Sequence, residues 1–439
     1  MLRGHCAPAS SVPLLLRFCS ASDPLLSRAA QLVTRAHAPR RLFIGLMSGT
    51  SLDGIDAALV DFATAAPDTP ASRSSQTYQT PLKPQTLATH YVPFDAPLRA
   101  ELLALQAANG NEIERGALAA NQLARAYAAA VRALLASAQV NAAEVEAIGA
   151  HGQTVRHRPE QGFTIQLNNP ALLSELTGIT VVADFRSRDI AAGGQGAPLV
   201  PAFHQAVFGV PGRGSRAVPG GSGDGTPEGA VGADRVIVNI GGIANLTHLP
   251  QTGPVTGFDT GPGNALMDLW TQRHLNQAYD AGGVWAATGC VLPALLERFL
   301  AEPYFRQAPP KSTGRDLFHA AWLEQRLAGS EAAADVQATL CELTARSIAD
   351  AVNALAGSSN AEAFVCGGGA HNAHLIGRLR AAAPRYAWQS TAPLGVPADW
   401  VEAVAFAWLA YQLIERKPAS LAQVTGASGT RLLGAIYPV

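Results

Sequence analysis

Residues 43–62 read Phe43-Ile-Gly-Leu-Met-Ser-Gly-Thr-Ser-Leu-Asp-Gly-Ile-Asp-Ala-Ala-Leu-Val-Asp-Phe62. An apolar run ends in small residues, breaks at Ser48-Gly49-Thr50-Ser51 and Asp53-Gly54, and resumes as Ala57-Ala58-Leu59-Val60. Asp-Gly between apolar runs is a strong hairpin signal, so strand, turn, strand is expected. A turn of Gly, Ser and Thr offers successive N–H groups and hydroxyls to an anion, and Gly lets the backbone approach it. No Gly-Lys-Ser/Thr follows, which excludes a Walker loop. Alone, the stretch is explained as well by a plain hairpin as by a phosphate site.

The pattern returns. Arg235-Val-Ile-Val-Asn-Ile-Gly-Gly-Ile-Ala-Asn-Leu-Thr247 is again an apolar strand, a Gly241-Gly242 turn and a short return. A third glycine block, Phe364-Val-Cys-Gly-Gly-Gly-Ala-His-Asn372, follows a helical pattern with Val336, Leu340, Leu343, Ile348, Val352 and Leu355 on one side, expected to end at Gly357. Other helices are expected over 118–140, through Phe203 and Val207, and over 401–417; strands are expected over 145–150 and 178–183. The last two end in the polar clusters His151-Gly-Gln-Thr154 and Asp184-Phe-Arg-Ser-Arg-Asp189, and strand ends are where open α/β sheets bind ligands. Three glycine turns at strand ends, with helices between, point to two similar α/β lobes facing across a cleft.

The chain has 439 residues, enough for about two to three domains or one large two-lobed unit. Lys and Arg number 32 against 33 Asp and Glu, so net charge supports neither a nucleic-acid nor an acidic-membrane partner. Cys6, Cys19, Cys290, Cys341 and Cys366 are scattered without a CxxC or Cys/His cluster, against a disulfide framework or a zinc site. No apolar run approaches the ~20 residues that cross a bilayer. Residues 1–41 carry six arginines against Asp23, and residues 1–40 have a composition expected of a disordered extension resembling a transit peptide, or of an upstream start. Pro/Ser/Thr-rich residues 63–85 and Gly/Pro-rich residues 211–233 read as surface insertions.

Phosphoryl transfer needs donors around phosphates, a cation, and a carboxylate to orient or activate the nucleophile. Asp259, in Gly257-Phe-Asp-Thr-Gly-Pro-Gly-Asn264, is the best-placed carboxylate; such a corner also suits an Asp that merely caps a helix. The Asp184–Asp189 cluster reads as a salt-bridged hinge or as a grip on a sugar or carboxylate. His151 suits a base or a neutral hydrogen-bonding group. Lys311-Ser-Thr-Gly-Arg315 resembles a phosphate loop in composition only, with no strand before it.

Taken together, Met47-Ser-Gly-Thr-Ser-Leu-Asp-Gly-Ile-Asp56, Ala150-His-Gly-Gln-Thr154, Ala183-Asp-Phe-Arg186, Asn239-Ile-Gly-Gly242, Gly257 to Asn264, Pro310 to Arg315 and Val365 to Asn372 resemble the anhydro-N-acetylmuramic acid kinase family, from about Phe43 to Pro438. The resemblance implies the duplicated ribonuclease-H-like fold of actin-like ATPases and sugar kinases, two-lobed with an interlobe cleft. It implies an ATP-dependent kinase that hydrolytically opens 1,6-anhydro-N-acetylmuramic acid and phosphorylates O6, in bacterial cell-wall recycling. Carried onto this chain, Asp259 is the base. Gly49, Thr50, Ser51, Leu52, Asp53, Gly54, Ile55 and Asp56 wrap the β/γ-phosphates, with Gly241 and Gly242 opposite, and Gly367, Gly368 and Gly369 back the adenosine. His151, Gln153, Arg188, Asp189 and Asn264 are expected at the sugar. Met47 and Asn239 stand where the superfamily usually has magnesium-positioning Asp residues, so Mg2+ is expected with ATP, near Asp53 and Asp56, through water. The expected division is 1–40 extension, 41–187 first lobe with the C-terminal helix returning to it, and 188–439 second lobe. A cytoplasmic enzyme, forming a homodimer, is implied. Against this kinase stand a hexose kinase needing no water site and a nucleotide-switched binding module.

Overall fold

A computed structural model describes residues 40–49, 51–63, 82–108, 110–209, 233–315, 317–355 and 361–439. Thr50, Gly357, the extension up to residue 39, and most of the two expected insertions (64–81 and 210–232) lie outside the described residues.

Strand β1 (Leu42–Met47) is buried along its whole length, as a central strand covered on both faces must be. It pairs antiparallel with β2 (Gly54–Asp61), and β2 with β3 (Gln85–Pro93). Helices α1 (Ala96–Ala104) and α2 (Glu112–Ala138) carry the chain to β4 (Val145–Ala150), parallel to β1. A separate hairpin, β5 (Gln153–Arg158) and β6 (Phe163–Leu167), precedes α3 (Pro170–Thr177) and β7 (Val181–Ala183), parallel to β4. Short helices α4 (Ser187–Ala191) and α5 (Val200–Phe208) follow.

The second sheet repeats the plan. Strands β8 (Arg235–Ile240), β9 (Ile243–Leu249) and β10 (Thr256–Pro262) form an antiparallel meander. Helices α6 (Ala265–Leu275), α7 (Pro293–Leu300), α8 (Ala320–Glu324) and α9 (Ala333–Asn353) lead to β11 (Ala361–Cys366), parallel to β8. Helix α10 (Ala373–Ala382) leads to β12 (Tyr386–Ser390), parallel to β11. The chain then returns to the first sheet through α11 (Val401–Ile414), α12 (Ala422–Thr425) and β13 (Ala435–Tyr437), antiparallel to β7. The orders β3-β2-β1-β4-β7 and β10-β9-β8-β11-β12 match strand for strand. This is the duplicated ribonuclease-H-like fold expected of the sequence.

Side chains along β1 alternate between two cores: Phe43 and Met47 join one, Leu42, Ile44 and Leu46 the other. In β8, Ile237 joins the same core as Phe43, whereas Val236, Val238 and Ile240 pack beneath α9. The shared core is filled by α11 and α5, so these helices form a layer between the sheets. Gly45 of β1 and Gly149 of β4 stand opposite each other in register. A Cβ on Gly45 would lie 1.7 Å from the Ala403 carbonyl oxygen, and one on Gly149 2.0 Å from that of Phe406. The glycine pair is the seat on which the α11 backbone rests.

Several boundaries differ from expectation. Asp53-Gly54 is not the centre of the first turn: Gly54 already belongs to β2, paired with Pro93, and the left-handed residue is Leu52 (φ 57°). Gly54 is needed because a Cβ there would lie 2.4 Å from the Val92 carbonyl oxygen of β3. The strand expected over 178–183 keeps only Val181–Ala183, and the helix expected from Leu118 begins at Glu112. No helix among the described residues is long and apolar enough to cross a membrane.

Candidate active site

The first turn, Ser48–Asp53, is braced from the first sheet. Ser48 Oγ lies 2.9 Å from the Tyr127 hydroxyl of α2 and donates to the Gly152 carbonyl. Gln153 Nε2 donates to the Gly49 carbonyl at 3.2 Å, and its Oε1 is buried without a partner among the described residues. Ser51 Oγ and the Gly54 N–H both donate to Asp53 Oδ1. These bonds engage the Gly49 carbonyl and one carboxylate oxygen of Asp53, and the Leu52 N–H also closes back on Gly49 O at 3.3 Å.

The second turn is braced through its carbonyls. Gly242 O accepts from the N–H groups of Gly263 and Ala265, and Gly241 O from that of Asn264. Asn264 Nδ2 donates to Ile240 O at 3.2 Å. The third turn packs on the second: a Cβ on Gly367 (φ 77°) would lie 2.5 Å from Asn239 Oδ1, and one on Gly369 2.3 Å from Ile240 Cγ2. Glycine is required there by close approach.

Asp259 lies in β10 where the register with β9 shifts, between Asp259 and Gly261. It is a strand residue rather than a helix cap; α6 is preceded by Asn264. The segment that resembles a phosphate loop in composition only, Lys311 to Arg315, wraps it. The Thr313 N–H donates to Asp259 Oδ2 at 3.0 Å, the Asp259 N–H donates to Lys311 O, and the Tyr304 hydroxyl donates to Asp259 O at 2.6 Å. Lys311 Nζ sits 4.7 Å from the Tyr304 ring centre and 5.7 Å from that of Phe258. Burial pushes the Asp259 carboxyl up to about 7, against the opposing pull of the Thr313 N–H, Arg186 and Lys311.

Arg186 ties the other polar groups together. Its Nε and terminal nitrogen reach His151 Nε2 at 3.2 and 2.9 Å, and its other terminal nitrogen donates to Gly196 O at 2.8 Å. A guanidinium only donates, so Nε2 is the acceptor and the imidazole proton sits on Nδ1. That Nδ1 is buried without a partner among the described residues. Burial, then Arg186, holds His151 well below its usual value, so the ring is neutral. Asp259, Glu402 and Asp189 all lie within electrostatic reach of Arg186.

The predicted residues divide. His151, Gln153 and Asn264 stand with the turns and Asp259. Arg188, in the short helix that Arg186 precedes, is exposed. Asp189 is fully buried, with Oδ2 accepting from the Gly196 N–H and Oδ1 from Thr425 Oγ1, both at 2.8 Å; it clamps the 193–196 loop to α12. Sequence reasoning missed Glu402 altogether. It lies in the first turn of α11 beside Asn239, Arg186 and Asp53, and burial raises its carboxyl. A signal existed: it is the only charged residue in a helix otherwise apolar nearly throughout.

Asp56, Asp53, Glu402 and Asp399 form an acidic group. Burial, then the charge of Asp53 and the others, pushes Asp56 up to about 7. Yet among the described residues no three ligating side chains converge as a metal cage. The donor set therefore fits a hydrated divalent cation attracted by charge, not one enclosed by protein.

A family model of anhydro-N-acetylmuramic acid kinases matches residues 41–220 and 229–439. Curated proteins of that name are similar over most of both chains. The one from Bordetella petrii is 54% identical over 409 residues, covering 92% of this chain and 98% of its own. The one from Nitrosospira multiformis is 54% identical over 398 residues, covering 90% and 98%. A ROK hexokinase structure from Thermus thermophilus aligns over 85% of this chain and 99% of its own, at 14% identity and TM-score 0.33, too loose to add to the strand order. On the family match and these identities, the chain belongs to the anhydro-N-acetylmuramic acid kinase family.

Proposed function

We propose that this enzyme uses ATP to convert 1,6-anhydro-N-acetylmuramic acid into N-acetylmuramic acid 6-phosphate, a step of peptidoglycan recycling, at the cleft lined by the three turns and Asp259. The observation that carries the chemistry is the Asp259 carboxylate. It is gripped by one N–H, flanked by Arg186 and Lys311, and brought to about 7, where a general base works near neutral pH. Asp259 takes a proton from water as that oxygen bonds C1. The C1–O6 bond breaks, O6 bonds the γ-phosphorus, and the bond from that phosphorus to the bridging oxygen breaks to release ADP. The proton on Asp259 leaves to solvent. One base thus serves both halves of the reaction.

The free N–H groups of the first and second turns hold the β- and γ-phosphates, and Gly367, Gly368 and Gly369 back the adenosine. Neutral His151, with its proton on Nδ1, Gln153 and Asn264 orient the sugar, and Arg188 with its neighbour Arg186 supplies positive charge for the lactyl carboxylate. Asp189 holds the 193–196 loop, whose Gly196 carbonyl accepts from Arg186. Mg2+ bound with ATP offsets phosphate charge, and Asp53, Asp56 and Glu402 would hold its waters. We also take 41–187 with the returning α11 and β13 as one lobe and the rest of 188–439 as the other. ATP as donor supports the cytoplasm as the place of reaction, and the resemblance supports a homodimer, testable by sedimentation.

The reading is tested by ADP release with and without the anhydro sugar, in oxygen-18 water. Sugar-dependent release with label at C1 supports it. Sugar-independent ATPase removes the kinase and returns the nucleotide-switched module, and sugar-dependent release with unlabelled product returns a sugar kinase that needs no water site.

A further inference from the structure

Arg315 is not used by that mechanism. It follows the Lys311–Gly314 segment that wraps Asp259, and Phe318, three residues on, is buried in the second sheet's core. Its Nε is buried with no hydrogen-bond partner among the described residues. Among the described residues, Asp268 of α6, Arg99 of α1 and Asp53 of the first turn lie within its electrostatic reach. Asp268 stands on the second-sheet side, Arg99 and Asp53 on the first, so Arg315 lies where groups of both sides, the first turn included, act on it. Neither Asp268 nor Asp53 pairs with it within 4 Å, whereas Arg298, Arg326 and Arg378 on the same side all find glutamates.

A guanidinium carries five donors in a fixed fork suited to phosphate or carboxylate oxygens. Partly burying one without an acceptor is costly, so its partner is an anion that arrives with substrate. Two anions enter this cleft under the proposed function: the phosphate chain of ATP and the lactyl carboxylate of the sugar. Proximity to Asp53 favours the first, because the turn that contains Asp53 is the one whose N–H groups face phosphate. We propose that Arg315 is a catalytic residue whose guanidinium holds the γ-phosphoryl oxygens during transfer to O6, from the side opposite the first turn. The proposal rests on the kinase reading. Charge spreads over those oxygens in the transition state, so the contact strengthens as the phosphoryl group moves.

The test compares wild type, Arg315→Ala, Arg315→Lys and Arg315→Gln on 1,6-anhydro-N-acetylmuramic acid and on 1,6-anhydro-N-acetylglucosamine, which lacks the lactyl carboxylate. Binding of ADP alone, and of ADP with aluminium fluoride plus sugar, is measured by calorimetry. The expected result is a kcat loss of ~10²–10³ for Ala and Gln on both sugars, less for Lys, with the KM for sugar little changed. Tight binding with aluminium fluoride is lost while ADP binding is kept, which also shows that the variants fold. A penalty confined to the muramic sugar and expressed in its KM would make Arg315 a carboxylate anchor and overturn the proposal. Near-wild-type kcat in Arg315→Gln would overturn it and leave the kinase reading intact. Absence of sugar-dependent turnover in wild type would remove the reading and the proposal together.

Discussion

Replacing Asp259 by Asn should stabilise the protein while abolishing its turnover. In the native state the carboxyl titrates at about 7, against 3.8 for an unhindered Asp. The shift is upward, so the unfolded chain gives up its proton at lower pH than the native one. Native stability falls as pH rises from 3.8 to about 7 and is then level, the reverse of a salt-bridged carboxylate. At 1.36 kcal/mol per unit, the cost above pH 7 is about 4 kcal/mol. Asn removes it, yet its Oδ1 still accepts from Thr313. With an unfolding entropy of ~2.1 cal/mol/K per residue, the gain amounts to about 5 °C for a chain of this size. Thermal unfolding of wild type and Asp259→Asn, each from pH 4 to 8, checks this. The advantage of the variant should be absent near pH 4, grow through the range and level off above pH 7. A variant equal to or less stable than wild type at pH 8 would mean that Arg186, Lys311 and Thr313 satisfy the carboxylate fully, and the argument from burial would fail.

The same shift makes wild-type kcat/KM rise with pH through about 7 and plateau above it, because a base acts only when ionised; a profile flat between pH 5.5 and 8 would exclude Asp259 as that base. Gly149→Ala places a Cβ 2.0 Å from the Phe406 carbonyl oxygen, so it should cost at least the upper end of the ~1–3 kcal/mol typical of overpacking; soluble variant with an unchanged melting temperature would show that α11 shifts freely. Arg186→Gln removes the charge that, after burial, lowers His151. Its imidazole should titrate at higher pH by proton NMR, with a fall in sugar turnover, and an unmoved titration would place the cause in burial alone.

What the sequence made legible was what local pattern dictates. The two strand–turn–strand hairpins and the third glycine turn come from periodicity and small-residue breaks, whereas the third strand of each meander did not show, and Asp259, expected at a strand-to-helix corner, lies within β10. What failed to show was which of two neighbours turns inward. Arg186 and Arg188 are two residues apart at a strand end, and a short helix there sends Arg186 to His151 and leaves Arg188 in solvent. Asp189 likewise looks like a ligand-binding carboxylate until Thr425, 236 positions away, closes on it. Thr313 and Glu402 reach the site only through tertiary packing. Lys311 to Arg315 resembles a phosphate loop only in composition because no strand precedes it; the strand it serves is β10, about fifty residues earlier.

The seat made by Gly45 and Gly149 bears on how the chain can be born. Synthesis runs from the amino end, and most domains fold as they emerge. Here β1 and β4 appear early, but the helix that covers them, α11, and the strand that closes the sheet edge, β13, are among the last residues made. Until then only α5 is present to cover that face of the first sheet, and Phe43, Val60 and Phe62 wait for Phe406 and Tyr411. A nascent chain stopped before residue 401 should therefore be held by chaperones or aggregate, and emergence of α11, rather than of β1 and β4, should mark the onset of native structure.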